Sequence, residues 1–246
     1  GNRVNYSANV LGGVKCDIGA EQAKAVKEGL TYLETRIRHY LEVVTTDAMF
    51  LNRTRGIDTI SREEAEKFGL LGPTARASGL SRDVRLEAPY GAYHHFPVSL
   101  VMETNGDLEA RCVVRLKELL VSCFTMRTIV DNLPEGPLTT RMPRKIPAGE
   151  TVSRIEAPRG ELFYYIKSKG GKNPARVHIR TPSLCNWVSV LEKAVGHQLA
   201  DVPMLIAGMD PCFSCNDRVV TVNRPSTNET WSWKQLREYG IEFYKR

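Results

Sequence analysis

The sequence predicts an α+β protein built mainly from long helices, with one small antiparallel β-meander. Two long stretches, at about 20–51 and about 107–132, carry apolar residues at helical spacing. The stretch at about 151–180 instead holds three short runs rich in β-branched and aromatic residues, separated by turn-forming residues. Helices and strands therefore fall in different parts of the chain, as in α+β folds.

Length and composition indicate a globular protein with a substantial core. The chain has 246 residues, of which 42% are hydrophobic and 25% charged, as in ordinary folded domains. No apolar run approaches the roughly 20 residues that a membrane-spanning helix requires. The net charge is +6, but the 34 basic and 28 acidic side chains are interspersed, and no basic run is interleaved with aromatic residues. Nucleic acid is therefore not an expected partner.

The N-terminal part is predicted to be helical. Residues 1–18 begin without the polar lead-in of a complete domain, so we expect the chain to be the middle of something longer. A helix is predicted at about 20–51, with Asp17 or Gly19 at its start. A Ser-Arg-Glu-Glu capping box predicts a second, short helix at about 61–68.

A polar segment, 72–93, is predicted to be a loop because it is rich in turn-forming residues. It holds three arginines and an aspartate. Loops of this length on a compact protein are often functional, and composition does not separate that interpretation from a solvated connector. His94 and His95 follow it. Because adjacent strand residues face opposite sides, these histidines are expected to be structural or surface residues rather than joint metal ligands.

The second long helix is predicted from Asp107 to about residue 132, with a wide apolar face. Its charged residues Arg111, Arg115 and Glu118 are expected to form a solvated or interface face. A linker rich in proline and basic residues follows the helix.

Three strands of the antiparallel meander are predicted next, at 151–157, 161–167 and 175–180. The turn at 158–160 joins the first two strands, so the Arg159 side chain is expected to project beyond the strand ends. A further helix is predicted at about 184–199. A strand at 218–224 and a short helix at about 232–239 complete the predicted elements.

The stretch that carries the chemistry is 210–218, Asp-Pro-Cys-Phe-Ser-Cys-Asn-Asp-Arg, which follows the apolar run 202–209. Its thiols, Cys212 and Cys215, are three positions apart and can converge on one metal ion or close a short redox disulfide. A closed tetrahedral zinc site needs four ligands, so this pair alone is half of a site. The other cysteines stand alone in apolar surroundings and are expected to be small buried hydrophobes: Cys16, Cys112, Cys123 and Cys185.

Several motifs together resemble a known family. The Asp-Pro-Cys-x-x-Cys motif at 210–215 and the Glu-Ala-Pro-Arg-Gly-Glu-Leu motif at 156–162 resemble the C-terminal part of the large subunit of NiFe hydrogenases. The segment 72–93, with its Gly-Pro-x-x-Arg-Ala-Ser-Gly motif, Asp83 and Arg85, resembles the homologous 49-kDa subunit of respiratory complex I. Both sets occur together in the membrane-associated, energy-converting hydrogenases of the formate hydrogenlyase, Ech and Mbh types. The resemblance spans essentially the whole chain and implies the fold of these subunits.

This resemblance implies an enzyme, a hydrogenase subunit with a nickel–iron centre whose iron carries carbon monoxide and cyanide ligands. Cys212 would be the terminal thiolate on nickel, and Cys215 the thiolate that bridges nickel and iron. Arg159 would reach over the open side of the metals, polarise H₂ and hydrogen-bond the cyanide ligands. Asp210 would hold the loop and pair with nearby cations. The pocket lining that meets the diatomic ligands matches Pro182 and Ser183.

Two departures from the family pattern matter. The family's other Cys-x-x-Cys pair, and the glutamate that moves protons from the metals, belong to an N-terminal half that this sequence does not contain. The large subunit is then split between two polypeptides, or the chain is a fragment, or the protein has lost the metals. Arg218 stands where the family's precursors are cut after nickel insertion, yet residues 219–246 follow it. The chain is accordingly either an unprocessed precursor or a variant that keeps its tail.

Three regions are expected: a helical part with an arginine-rich interface loop (1–150), a part with the meander, a helix and the cysteine pair (151–218), and a C-terminal extension cleaved on maturation (219–246). By the resemblance, the partners are a chain or segment carrying the first Cys-x-x-Cys pair, a small subunit with a 4Fe–4S cluster, antiporter-like membrane subunits, and a maturation chaperone and protease. The assembly would be the peripheral arm of a prokaryotic membrane complex, on the cytoplasmic side. The alternative is a non-hydrogenase, complex-I-like subunit that transfers electrons in quinone or sulfur reduction and lacks a complete nickel–iron site.

Overall fold

Helices and small antiparallel sheets follow one another in the computed structural model, which describes residues 8–143, 145–217, 220–224 and 227–245. The N-terminal elements are β1 (Asn9–Val10), β2 (Gly13–Val14), α1 (Ala20–Thr46), α2 (Ala48–Asn52), α3 (Arg62–Phe68), α4 (Gly72–Ala77), α5 (Val84–Glu87) and α6 (Leu108–Asp131). The C-terminal elements are β3 (Ala148–Ala157), β4 (Gly160–Lys169), β5 (Arg176–Arg180), α7 (Pro182–Lys193), a 3₁₀ turn (Leu199–Asp201), α8 (Val202–Met209), α9 (Phe213–Asn216), β6 (Val220–Arg224), β7 (Thr227–Trp231) and α10 (Trp233–Tyr244). The predicted α+β class is confirmed.

The two long helices, α1 and α6, pack along each other through the apolar faces that their sequences predict. Leu30 and Ile37 of α1 form a buried cluster with Cys123 of α6. The Asp107 carboxylate starts α6 by accepting a hydrogen bond from the Ala110 N–H at 2.8 Å. Helix α6 then runs past the site described below and supplies several of its charged side chains.

The first helix is shorter than predicted. It ends at Thr46, and Asp47 adopts extended backbone with φ −70° and ψ 118°. The Asp47 carboxylate accepts a hydrogen bond from the Phe50 N–H and so starts the separate helix α2. The prediction of one continuous helix to Leu51 is therefore wrong, because an aspartate that caps a new helix competes with continuation of the old one.

The predicted loop at 72–93 is instead a partly helical segment packed into the core. Every residue of α4 is buried, and Arg76 is only 1% exposed. Pro73 lies in the first turn of α4, where the missing N–H of proline leaves no bond unmade. Glycine and proline in this segment therefore shape helix starts rather than a solvated loop. The capping box before it is confirmed, with Ser61 and Glu64 bonded reciprocally, and His94 and His95 lie on the surface as predicted.

The meander is confirmed as one sheet with the order β3-β4-β5. Ala157 of β3 pairs directly with Gly160 of β4, so Pro158 and Arg159 form a tight turn between them. Gly160 has φ +126°, a conformation that side-chain-bearing residues rarely adopt. This turn carries Arg159 out beyond the ends of the strands.

The helix after the meander ends earlier than predicted, at Lys193 rather than near residue 199. Leu191 is 70% exposed and Leu199 88% exposed, so the apolar side expected for this helix is not buried along its whole length. The apolar run that follows forms α8, whose Leu205 and Met209 pack on α6 and α7. Both predicted C-terminal elements occur, as β6 and α10, whereas Arg218 lies outside the described residues.

The expectation of four buried, isolated cysteines holds for one of them. Cys123 is buried, Cys112 and Cys185 are half-buried, and Cys16 is exposed. Cys16 lies between β2 and α1, and its apolar sequence neighbours do not enclose it. Within the described ranges, no helix is both long enough and apolar enough to span a bilayer.

Candidate metal centre

Both cysteines of the Cys-x-x-Cys motif are held by the start of helix α7. The Cys212 N–H donates to Ser183 Oγ at 3.1 Å, and Thr181 Oγ1 donates to the Cys215 carbonyl at 2.8 Å. Ser183 is 1% exposed, and Pro182 beside it is also fully buried. The Asn216 amide donates back to the Cys212 carbonyl at 2.7 Å and closes α9 into a compact turn. The segment around Pro182 and Ser183 therefore supports the turn that carries the two thiols.

The two thiols differ in proton affinity although they are neighbours. The backbone N–H of Cys215 points at the Cys212 sulfur and lowers the pKa of Cys212, with further help from the Cys215 thiol and the Arg159 charge. Burial raises the pKa of Cys215, as does its hydrogen bond with Cys212. The pair can thus hold one proton between two sulfurs, with Cys212 as the readier thiolate.

Asp210 and Arg159 form the second part of the site. Arg159 Nη2 lies 2.6 Å from Asp210 Oδ1, and Arg159 Nε donates to the Asp210 carbonyl at 2.9 Å. Asp210 ends α8 in the left-handed region, with φ +59°, a conformation that Asp tolerates better than most side-chain-bearing residues. These two hydrogen bonds fix the Arg159 guanidinium to Asp210, which stands two residues before Cys212 in the sequence. The predicted pairing of Asp210 with a nearby cation is therefore observed in the structure.

The Arg159 turn is fixed by direct backbone contact with α4. A Cβ atom added to Gly72 would lie 2.4 Å from the Arg159 carbonyl oxygen, and one added to Gly160 would lie 2.6 Å from the Gly72 nitrogen. The fully buried Asn186 of α7 ties the same region together, since its side chain accepts from the Leu71 N–H at 2.9 Å and donates to the Leu71 carbonyl at 3.2 Å. Three segments distant in sequence thus hold the Arg159 turn in place.

A buried ion cluster lies behind that turn, centred on Arg76. Arg76 Nε donates to Glu118 at 2.6 Å, and Arg76 Nη1 donates to Glu156 at 2.9 Å and lies 3.6 Å from Asp83. Arg85 completes the cluster with two hydrogen bonds to the Asp83 carboxylate. Burial raises the pKa of Glu156 despite the Arg76 charge. Burial also opposes ionisation of Asp83, but the hydrogen bonds from Arg85 and the Arg76 charge prevail and lower its pKa.

The charged residues of α6 belong to this region, which sequence reasoning missed. Arg111 is 1% exposed and donates to Asp58 at 2.6 Å. Arg115 donates to the Gly208 carbonyl at 2.7 Å and lies 4.0 Å from Asp210, and Glu118 binds Arg76. The expectation of a solvated face is wrong, because carboxylates and carbonyls on other segments of the chain face this side of α6, whereas the alternative of an interface face stays a prediction. Its sequence signal was the spacing at 111, 115 and 118, which places three charges on one helical face.

A cavity of about 420 Å³ lies between α6 and the Arg159 turn. Its lining includes Arg115, Glu118, Glu156, Pro158 and Asp210. The Arg115 Nε atom is buried and has no hydrogen-bond partner among the described residues. The cavity therefore adjoins the Asp210 side of the site, and ionisable side chains stand among its largely apolar lining.

The described residues contain no cluster of three or more His, Cys, Asp or Glu side chains that could hold a metal ion. Two adjacent soft thiols on a rigid turn, with a fixed guanidinium beside them, are nevertheless the donors that fit half of a thiolate-rich nickel or iron site. The assignment of Cys212 and Cys215 as ligands, and of Arg159, Pro182, Ser183 and Asp210 as residues around the bound group, stays a prediction.

Comparisons with known proteins agree on one group. The chain matches the sequence profile described as respiratory-chain NADH dehydrogenase, 49 Kd subunit, over residues 1–146 and 139–218. It is 36% identical to the carbon monoxide-induced hydrogenase of Rhodospirillum rubrum over 219 residues, which make up 89% of this chain and 61% of that protein. It is 33% identical to the membrane-bound hydrogenase subunit alpha of Pyrococcus furiosus over 258 aligned positions, 98% of this chain and 60% of that protein.

A solved structure of the membrane-bound sulfane sulfur reductase, an archaeal respiratory membrane complex, contains a similar chain. The TM-score is 0.79 at 33% sequence identity, over 85% of this chain and 59% of that one. The chain thus spans about 60% of the length of the curated relatives.

Proposed function

Because this chain belongs to the family of the 49-kDa subunit of respiratory-chain NADH dehydrogenase, we propose that it is the C-terminal part of the catalytic subunit of a membrane-associated, energy-converting hydrogenase. In this role it contributes Cys212 and Cys215 to a nickel–iron centre that forms or oxidises H₂. The observation that carries the proposal is the thiol pair held beside the Arg159–Asp210 ion pair. Similarity to two hydrogenases supports it.

Two further thiolates complete the proposed centre and come from a segment or chain with the first Cys-x-x-Cys pair. When bound, a nickel–iron centre with carbon monoxide and cyanide on its iron supplies the redox chemistry of H₂. Soft sulfur donors suit such a centre because they tolerate changes in metal charge. Cys212 and Cys215 would hold this centre, and Pro182 and Ser183 would support the turn that carries them.

The remaining side chains orient and stabilise charge. Asp210 engages Nε and Nη2 of Arg159 through its backbone carbonyl and carboxylate, so Nη1 is the guanidinium nitrogen that would remain to donate to a bound group. A guanidinium fixed in this way needs no rearrangement to stabilise negative charge beside it. The surroundings of Cys212 lower its pKa and favour the thiolate, the form in which a cysteine binds a metal.

The proposed setting is the peripheral arm of a prokaryotic membrane complex, on the cytoplasmic side. Its partners there are a small subunit with a 4Fe–4S cluster and antiporter-like membrane subunits. A maturation chaperone and protease act earlier, and residues 219–246 are removed once nickel is in place. Similarity to subunits of a hydrogenase described as membrane-bound and of a respiratory membrane complex supports this setting.

A second candidate is an electron-transfer subunit of a quinone- or sulfur-reducing complex without a complete nickel–iron site. The likeness to the sulfane sulfur reductase complex favours it. Nickel separates the two candidates better than iron does, because iron–sulfur clusters of partner subunits bring iron in either case.

The test is metal analysis and H₂ evolution by the whole complex purified from cells that express this chain. We expect about one nickel per chain, with nickel and H₂ evolution both lost in Cys212→Ser and in Cys215→Ser. Cys16→Ser is the matched control, because Cys16 is exposed and far from the site in sequence, and it should behave as the wild type. A wild-type complex that transfers electrons but holds no nickel, or H₂ evolution that survives either substitution, would refute the hydrogenase proposal.

A further inference from the structure

Strand β5 forms an open edge of the meander. All of its residues, Arg176–Arg180, are exposed, and in the described part of the chain no strand pairs with it on the side away from β4. In an antiparallel pair, every second residue directs its backbone N–H and C=O to the neighbouring strand, and the residues between direct theirs away. β5 therefore presents a row of backbone groups with which a further strand can pair.

The other edge of the sheet, β3, is closed at the end that leads to the Arg159 turn. There the Glu156 N–H donates to the Tyr90 hydroxyl at 3.1 Å, and the same hydroxyl lies 3.4 Å from the Glu156 carbonyl oxygen. Helix α5 also packs against this strand. Tyr90 thus occupies the backbone groups that Glu156 would offer to a further strand, whereas the whole of β5 is exposed.

One face of β5 is apolar. Val177 and Ile179 stand directly opposite Ile166 and Tyr164 of β4, so they continue the same face of the sheet. Both are well exposed, at 45% and 40%. A strand added beside β5 would cover this apolar surface if it carried apolar side chains on the same face.

The opposite face of β5 is basic and borders a cavity of about 620 Å³. Alternation along the strand puts Arg176, His178 and Arg180 on this face, and the last two line the cavity. Arg154 of β3 lies beside Arg180, because each donates at 2.7 Å to a different oxygen of the buried Glu161 carboxylate. Glu161 therefore holds two guanidinium groups next to the open edge.

Positive charge exceeds negative charge around this cavity. Arg82, Arg154 and Arg180 line it together with Glu161. A second carboxylate, Glu87, lies 3.5 Å from Arg82 and 3.8 Å from Arg154. Three positive charges against two negative ones leave one positive charge, and each guanidinium has five N–H donors. A further carboxylate would therefore find both a charge and donors here.

A second copy of this chain does not suit the edge. Two β5 strands paired around His178 with matching faces would place Arg176 of each copy opposite Arg180 of the other. Like charges directly opposite each other are destabilising, whereas opposite charges stabilise the pair. The basic face therefore disfavours pairing with itself and favours a strand that carries aspartate or glutamate.

We propose that β5 is the docking edge for an extended segment of another subunit of the complex. The segment adds a fourth strand to the sheet, with apolar side chains beside Val177 and Ile179 and an acidic side chain beside Arg176 and Arg180. In strand addition of this kind, backbone hydrogen bonds give affinity and alternate side chains give specificity. The proposal holds for either candidate function, because both place the chain in a membrane complex.

Hydrogen exchange in the purified whole complex tests the pairing residue by residue. In an edge strand every second amide exchanges quickly, whereas in an inner strand consecutive amides are all slow. We expect consecutive slow amides along β5 in the wild-type complex. Arg176→Glu places a negative charge beside the acidic segment, so it should speed exchange at every second amide by about tenfold or more as each loses a hydrogen bond. Amides of β4 should keep their wild-type rates.

Lys172→Glu is the matched control, because it makes the same change of charge at an exposed position in the turn between β4 and β5. It should leave the β5 amides slow. Fast exchange at every second β5 amide of the wild-type complex overturns the docking edge. Slow exchange that survives Arg176→Glu, or equal acceleration by Lys172→Glu, overturns the acidic segment as its occupant.

Cross-linking identifies the occupant without reversing a charge. Arg176→Lys supplies an amine that a carbodiimide joins directly to a neighbouring carboxylate as an amide. We expect mass spectrometry of the treated complex to find position 176 joined to an aspartate or glutamate of another subunit, and replacement of that residue by lysine should restore slow exchange to the Arg176→Glu complex. Linkage to a second copy of this chain, to another part of the same polypeptide, or to no carboxylate overturns the proposal.

Discussion

Arg76 donates a hydrogen bond to Glu156 at 2.9 Å across 80 residues of sequence, and both side chains are almost completely buried. Arg76 belongs to the motif at 72–79 and Glu156 to the motif at 156–162. These motifs resemble two different branches of the family when they are taken separately. In the folded chain they form one unit, in which the ion cluster supports the turn that carries Arg159.

The backbone contact between Gly72 and the Arg159 turn predicts a large loss of stability for Gly72→Ala. Gly72 has φ +63°, and a Cβ would meet the Arg159 carbonyl at 2.4 Å. The left-handed conformation costs about 1–2 kcal/mol for alanine, and the clash adds about 1–3 kcal/mol. Urea denaturation of the purified chain measures the change in unfolding free energy.

Gly69→Ala is the control for that variant. Gly69 has nearly the same φ, +64°, but open space around the added Cβ. Gly69→Ala should lose only the about 1–2 kcal/mol of unfolding free energy that the left-handed conformation costs alanine. Equal losses in the two variants would contradict the importance of the contact with Arg159.

The left-handed backbone of Asp210 predicts an order among its substitutions. Asp210→Asn keeps an oxygen for Arg159 and tolerates φ +59°, so it should be the most stable of three variants. Asp210→Gly relieves the backbone but loses the side chain, and Asp210→Ala loses the side chain and adds about 1–2 kcal/mol of strain. Thermal unfolding of the purified chain ranks them. An alanine variant as stable as the glycine variant would contradict the argument.

Burial of Glu156 predicts a specific pH dependence. Its pKa is raised above the usual 4.5, so the folded state holds this proton more tightly than the unfolded state. Its contribution to stability is therefore present below about pH 4.5 and is lost as the pH rises through the folded-state pKa. Glu156→Gln cannot ionise, and its stability relative to wild type should improve over that rise.

Denaturation midpoints of both proteins, measured from acid to neutral pH, check this dependence. Asp83 contributes in the opposite sense, because its pKa is lowered and its stabilisation is lost as the pH falls through the folded-state pKa. Asp83 is present in both proteins and mostly cancels in the comparison. A stability difference that is constant over the whole pH range would refute the prediction for Glu156.

Arg159 is predicted to matter more for H₂ chemistry than for stability. Its side chain is 29% exposed and that of Asp210 38% exposed, and an ion pair this open to solvent contributes little to folding. Arg159→Lys keeps the charge but cannot make the bidentate hold on Asp210. We expect H₂ evolution by the complex to fall by about 100-fold, with nickel content and the unfolding midpoint near wild type. Loss of nickel together with activity would show a role in assembly instead.

Local patterns predicted those elements whose signals lie within a few residues. The capping box of Ser61 and Glu64, the Asp107 cap and the three strands of the meander all appear in the structure. Such signals act through hydrogen bonds and side-chain spacing along one short segment. The prediction of one continuous first helix is wrong at Asp47 because of a signal of the same local kind, the cap that Asp47 provides for α2.

The sequence by itself determined the fold class, the family resemblance and the pair of thiols, because these depend on spacing along the chain. Only the tertiary structure decided that 72–93 is buried, that Arg111, Arg115 and Glu118 face inward, and that Arg159 is locked to Asp210. A charge on a helix is stable in the core only where another segment brings a compensating partner. The partners here come from segments about 40 to 90 residues away in sequence, and their arrival depends on how all the elements pack.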